Sequence, residues 1–210
     1  MPKGYWIPHL DVSNAEGFQA YRTMADAAHA RFGSKLLARG GRRELVEGKL
    51  RARNVLREFN SYDEALAFYH GPEYSRAHPL REPHSECDFL IVEGYDGSQP
   101  PPIGAPPSPA KLKGYWLGHV DVTDAEGYKP YTVANAIPFG KFGARFLVRG
   151  GRYEVMEGRA RSRNVVMEFP SYDAAVACYH SDDYQAAVAI RKGKCEIDLV
   201  IVEGFDPSKP

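Results

Sequence analysis

Arg39-Gly40-Gly41-Arg42-Arg43-Glu44-Leu45-Val46-Glu47-Gly48 returns 110 residues later as Arg149-Gly150-Gly151-Arg152-Tyr153-Glu154-Val155-Met156-Glu157-Gly158. The same offset aligns residues 3–96 with 113–206 without a gap, and roughly half the positions are identical. Self-similarity on that scale marks one module written twice. The 210 residues divide into a first repeat over 1–96, a linker over 97–112 and a second repeat over 113–206. A module of this size buries only a marginal core by itself, so the two copies are expected to share an interface. The linker, GSQPPPIGAPPSPAKL, is rich in proline and small residues and reads as a semi-extended tether.

Outward from the Arg-Gly-Gly stretch, the paired glycines predict a bulge or tight bend between a strand at 35–39 (145–149) and an extended 43–47 segment. Upstream, 4–12 and 114–122 alternate as strands. Trp6, Pro8, Leu10 and Val12 share a helix-covered face, and Tyr5, Ile7, His9 and Asp11 share the other. Gly118 replaces Pro8, which would let a helix lie close. Ser13 or Asn14 (Thr123 or Asp124) caps a helix from about 15 to 32, with Phe18, Tyr21, Ala25, Ala28 and Phe32 at helical spacing. In the second copy Pro130 is expected in the opening turn and Pro138 to kink or shorten the helix; Gly33 and Gly143 mark its end.

Downstream, 53–59 and 163–169 read as strands. Ser61 opens a second helix, and Glu64 completes a capping box that is lost at Ala174. Helical character resumes over 74–81, and the closing strands are 88–93 and 198–203. The order β-α-β-β-α-β is ferredoxin-like, with helices on one face of the sheet and the other face needing a partner. Two such sheets face to face make an α+β barrel. Here it would be an intramolecular pseudo-dimer, hence a monomer, with exposed sheet edges that could still support a homodimer.

The 27 basic and 27 acidic residues cancel, as they nearly do in each repeat, 13 against 14 and 12 against 13. Without a one-sign block there is no footprint for nucleic acid or an anionic membrane. Cys87, Cys178 and Cys195 are odd in number, do not align between repeats and lack CxxC spacing, so isolated thiols in a reducing compartment are expected. No apolar run resembles a signal or a span, and a soluble cytoplasmic protein is the expectation. With neither a GxGxxG after a strand nor a P-loop, nucleotide cofactors have no support.

The Gly-Tyr start, the strand ending Asp-Val, the Arg-Gly-Gly, the Glu-Gly, the Phe-Asn-Ser-Tyr or Phe-Pro-Ser-Tyr before the second helix, the Tyr-His-x-x-x-Tyr and the terminal Val-Glu-Gly together resemble the "domain of unknown function 1330" family. The resemblance covers both repeats. It implies the dimeric α+β barrel, a superfamily that also holds muconolactone isomerase, antibiotic-biosynthesis monooxygenases, EthD-like proteins and haem-binding chlorite dismutase relatives. Shared fold alone does not carry activity. Histidine at 9 and 119 departs from what the resemblance leads one to expect, which singles both out.

His9 and His119 are the first candidates for catalysis, because imidazole moves protons near neutral pH without a cofactor. Asp11 and Asp121, two residues on and on the same face, could orient the rings. Structural histidines at the pseudo-dimer interface are the competing account. Arg39 and Arg149 would bind substrate charge, or brace the barrel against Glu47 or Glu58. Tyr5, Tyr115 and Arg57 complete a substrate-binding set. Met167 stands opposite Arg57, which makes one pocket polar and the other apolar, or else marks a solvated edge. His29, His78 and His84 occur in the first repeat only and fit either surface positions or a site kept in one half. His70 and His180 close helices, where a cation meets the dipole. A metal set of His9, Asp11, His119 and Asp121 is conceivable, but the spacing does not demand it, and a histidine alone is no haem signature. The sequence thus points to a cofactor-independent lyase or isomerase for a small aromatic or largely apolar metabolite. A non-catalytic binding protein and a cofactor-free oxygenase are the alternatives.

Overall fold

A computed structural model describes residues 1–208. The first repeat runs β1 (Gly4–Val12), α1 (Ala15–Phe32), β2 (Lys35–Arg39), β3 (Arg43–Glu47), β4 (Arg53–Phe59), α2 (Tyr62–His70), α3 (Pro72–Ala77) and β5 (Ser85–Glu93), with short 3-10 turns at 78–80 and 82–84. The second runs β6 (Gly114–Val122), α4 (Ala125–Ala134), α5 (Ala136–Lys141), β7 (Arg145–Arg149), β8 (Tyr153–Glu157), β9 (Arg163–Phe169), α6 (Tyr172–His180), α7 (Asp182–Arg191) and β10 (Cys195–Glu203). Among the described residues no helix is long and apolar enough to cross a membrane.

Local chemistry sets these boundaries. Asn14 Oδ1 accepts from the Gly17 amide at 3.1 Å and Asp124 Oδ1 from Gly127 at 2.9 Å, so each first helix starts on a side-chain cap. Gly33 ends α1 with φ +84, a left-handed conformation that glycine adopts without strain. In the second repeat the helix breaks at Asn135, between α4 and α5. Pro130 lies inside α4 rather than in the opening turn expected for it.

The chain forms two compact units, and neither is a simple repeat. Unit 1 comprises Met1–Arg39, Arg51–Gly94 and Gly151–Ala160; unit 2 comprises Gly40–Leu50, Tyr95–Gly150 and the chain from Arg161 onward. Each holds a five-stranded antiparallel sheet, ordered β2-β4-β1-β5-β8 in unit 1 and β3-β10-β6-β9-β7 in unit 2. The first four strands of unit 1 are the ferredoxin-like core, and β8 is lent by the second repeat. Unit 2 borrows β3 in the same way. The sequence reading gave 43–47 as an extended segment after the glycine bend and named no pairing partner for it. The chain turns away at Gly40 and Gly41, with φ +70 and +76, and β3 pairs with β10.

A buried arginine fixes each borrowed strand. In unit 1 Arg81, 1% exposed, donates through Nη2 to Glu157 at 2.5 Å. In unit 2 Arg191 Nη2 pairs with Glu47. Burial alone would raise the Glu157 carboxyl, but hydrogen bonds from His78 and Arg81 hold it down to about 2. Trp6 is the hub of the unit 1 core, against Phe59, Tyr74 and Phe89 at 4.9 to 5.0 Å, and its Nε1 donates to Ala65 O. Trp116 plays the same part in unit 2, donating to Ala175 O.

Candidate functional site

The helix-covered face of the unit 1 sheet is incompletely filled. A cleft of about 500 Å³ is walled by Trp6, Pro8 and Leu10 of β1, by Phe18, Tyr21, Asp26 and His29 of α1, and by Arg39, Arg53 and Arg57 of β2 and β4. Period two puts Arg53, Val55 and Arg57 on this side of β4, and α1 turns Asp26 and His29 towards them. Asp26 Oδ1 accepts from Arg39 Nη1 at 2.6 Å and from Arg57 Nη2 at 2.9 Å. Arg57 is buried. Burial lowers its guanidinium to about 10 against the pull of Asp26, so it remains a cation at neutral pH.

His29 is 4% exposed, with its ring edge-on to Trp6 at 5.1 Å. Its Nδ1 lies 2.8 Å from Ser34 Oγ, which also accepts from Arg57 Nη1 at 3.4 Å. Burial first, then the positive charges of Arg57 and Arg39, push the imidazole down to about 2. It is therefore neutral at physiological pH. Among the described residues its Nε2 makes no hydrogen bond. In the tautomer with the proton on Nδ1, Nε2 carries the free lone pair.

Unit 2 has a cleft at the corresponding place, about 570 Å³, lined by Trp116, Gly118, Tyr128, Tyr131, Asn135, Phe139, Phe146, Arg149, Arg163 and Met167 among others. Ala136 stands where Asp26 does, Phe139 where His29 does, and Met167 where Arg57 does. Arg149 lies over the Phe146 ring at 4.6 Å. No carboxylate lines this cleft. Gly118 faces Leu199 and Val165 here, where a Cβ would sit 3.3 Å from Leu199 Cδ1; no helix approaches it.

The histidines singled out on sequence stand elsewhere. His9 and His119 are buried on the opposite face of β1 and β6, away from these two clefts. Their Nδ1 atoms lie 2.7 Å from Asn54 Oδ1 and Asn164 Oδ1. The expectation that Asp11 and Asp121 orient the rings needs correction. Asp11 accepts from the Ala52 amide and Arg51, and Asp121 from the Ser162 amide and Arg161, so both tie down the loop before the next strand. Among the described residues no group of three or more His, Cys, Asp or Glu could hold a metal ion.

Tyr5 donates to Glu58 at 3.0 Å on that same far face, and Tyr115 is buried at the matching position. Arg39, Arg57 and Arg149 do line the clefts. Arg39 pairs with Asp26, and Arg57 is a buried cleft residue and not a solvated edge position. Asp26 and Asn135 escaped the sequence reading altogether. The available signal for Asp26 was its placement on α1 one residue from Ala25, on the apolar stripe.

Three solved structures share this fold across nearly the whole chain. An anthrone oxidase-like protein is 13% identical with a TM-score of 0.53, over 98% of this chain and 92% of its own. A chlorite dismutase variant of Candidatus Nitrospira defluvii, in complex with cyanide, is 6% identical at 0.54, over 97% and 91%. A dye-decolorizing peroxidase of Bacteroides thetaiotaomicron is 7% identical at 0.54, over 97% and 93%. At such identities the likeness is one of fold. No curated protein matches the sequence. The profile of the family described as "Domain of unknown function (DUF1330)" matches residues 3–95 and again 113–205. With both repeats matched, the chain belongs to the domain of unknown function 1330 family, in tandem form.

Proposed function

We propose that the protein is an acid/base enzyme, a lyase or isomerase, acting on a small, largely apolar anion in the unit 1 cleft. The observation that supports this is His29, a neutral imidazole at the wall of a cleft that also holds Arg39, Arg53 and Arg57. His29 Nε2 accepts a proton from the substrate. The electron pair stays on the substrate as an enolate or phenolate, and the guanidinium groups offset its charge. Return of the proton to another atom completes an isomerisation; departure of a leaving group completes an elimination.

A base held near 2 is weak in the empty cleft. Two of its three causes are the charges of Arg57 and Arg39, and an anion bound beside them offsets both. Binding thus raises the basicity of the group that reacts.

The test begins with a thermal-shift screen of aromatic acids, phenols and lactones. Each hit is then incubated in deuterium oxide and followed by mass spectrometry. Deuterium uptake or conversion by the native chain, lost in His29→Phe and kept in His9→Ala, is the expected result. Exchange that survives His29→Phe and is lost in His9→Ala would return the chemistry to the far face. A hit that persists without exchange would make the protein a binder, and oxygen uptake with substrate would make it an oxygenase.

A further inference from the structure

The unit 2 cleft has lost every proton-handling group peculiar to its counterpart, yet it has kept its space and its cations. Ala136 and Met167 stand where Asp26 and Arg57 pair, so Arg149 has no carboxylate partner among the described residues. Arg163 likewise makes no ion pair among the described residues. Half-buried arginines at the wall of a largely apolar cleft, with no carboxylate beside them, present forked donors that suit an anionic ligand.

A second, independent feature lies beside it. Asn135, at the break between α4 and α5, is 8% exposed and lines the cleft. Its backbone is satisfied, but its side-chain amide makes no hydrogen bond among the described residues. Open at the cleft wall, that amide is suited to fix a polar ligand atom. Tyr128, Phe139 and Phe146 supply flat apolar walls suited to an aromatic ring.

We propose that the unit 2 cleft is a second ligand site, taking a flat aromatic anion, a carboxylate or phenolate, with Arg149 on its charge and Asn135 on a polar atom. This site stands whether or not His29 is a base in unit 1. It is a binding site without a titratable base of its own, so it holds its ligand unchanged.

The chain has two tryptophans, and one lines each cleft: Trp6 in unit 1 and Trp116 in unit 2. Labelling the full chain with 5-fluorotryptophan gives two fluorine resonances, assigned with Trp6→Phe. The probe is 2-naphthoate, with 2-naphthylmethanol as its uncharged analogue. The expected result is a saturable shift of the Trp116 resonance by the acid, at least tenfold weaker with the alcohol and at least tenfold weaker in Arg149→Met. Asn135→Ala should weaken binding by a smaller factor. An unmoved Trp116 resonance at millimolar acid, equal binding of acid and alcohol, or an unaltered affinity in a folded Arg149→Met chain would each overturn the proposal. The Trp6 resonance reads unit 1 separately, so failure of one site is distinguished from failure of the other.

Discussion

The two clefts share a frame and differ in chemistry. Trp6, Tyr21, Arg39, Arg53 and Tyr74 recur as Trp116, Tyr131, Arg149, Arg163 and Tyr184, while Asp26, His29 and Arg57 become Ala136, Phe139 and Met167. The retained residues include the core hubs, whose replacement would leave voids. The changed ones are a coupled set. Arg57 is buried and held by Asp26, so removing the carboxylate alone would strand a buried cation. Met167 and Ala136 remove both partners together. Phe139 then occupies the place of a histidine that is neutral in any case. The difference teaches that unit 1 keeps one carboxylate, Asp26, bridging two of its arginines beside a buried histidine, and unit 2 keeps arginines with no carboxylate among them.

Imposing the unit 2 residues on unit 1 tests that coupling. Asp26→Ala should destabilise unit 1 by about 3 kcal/mol, read as a fall in the urea midpoint, because Arg57 is left buried and unpaired. The double change Asp26→Ala with Arg57→Met should recover most of that loss. A double variant as unstable as the single one would break the comparison.

Next in size is an effect of pH. His29 binds a proton in the unfolded chain below its ordinary value of 6.5, and in the folded chain only near 2. Its contribution is therefore complete above pH 6.5 and is lost as pH falls towards 2, by up to about 1.4 kcal/mol per pH unit. His29→Phe should flatten the fall in stability between pH 6.5 and 4.5 while leaving stability at pH 8 nearly unchanged. An equally steep fall in the variant would mean that His29 is not held neutral. The smallest effect belongs to Asn135. Since its amide makes no bond to lose, Asn135→Ala should shift stability by less than about 0.5 kcal/mol, measured by the same urea series.

Much of the fold was legible in the residues. The repeat is overt, and β1, α1, β2 and β4 follow from period-two and helical spacing with their caps. The exchange of β3 and β8 was not, because Gly40 and Gly41 mark a turn but say nothing of where the chain pairs next. Partner choice at a sheet edge depends on residues far apart in sequence, here 43–47 beside 199–202. The residues singled out for catalysis lie on the face opposite the two clefts. Alternation assigns His9 and Asp11 to one side of β1 but does not tell which side stays open. His9 Nδ1 meets Asn54 Oδ1 on one face, and a cleft lies on the other, behind Trp6 and Pro8. His29 was open between a surface position and a site kept in one half, although its place beside Ala25, Ala28 and Phe32, opposite Phe139 in the second repeat, was a sign of burial.

The most direct test of the central claim is a nuclear magnetic resonance titration of the His29 imidazole in the folded chain, with His29→Phe for assignment. The ring should stay neutral from pH 8 down to pH 4.5, and saturation of unit 1 with an aromatic carboxylate should raise its pKa measurably. A His29 that titrates near 6.5 in the free protein, or that does not respond to a ligand bound in its cleft, would contradict the account.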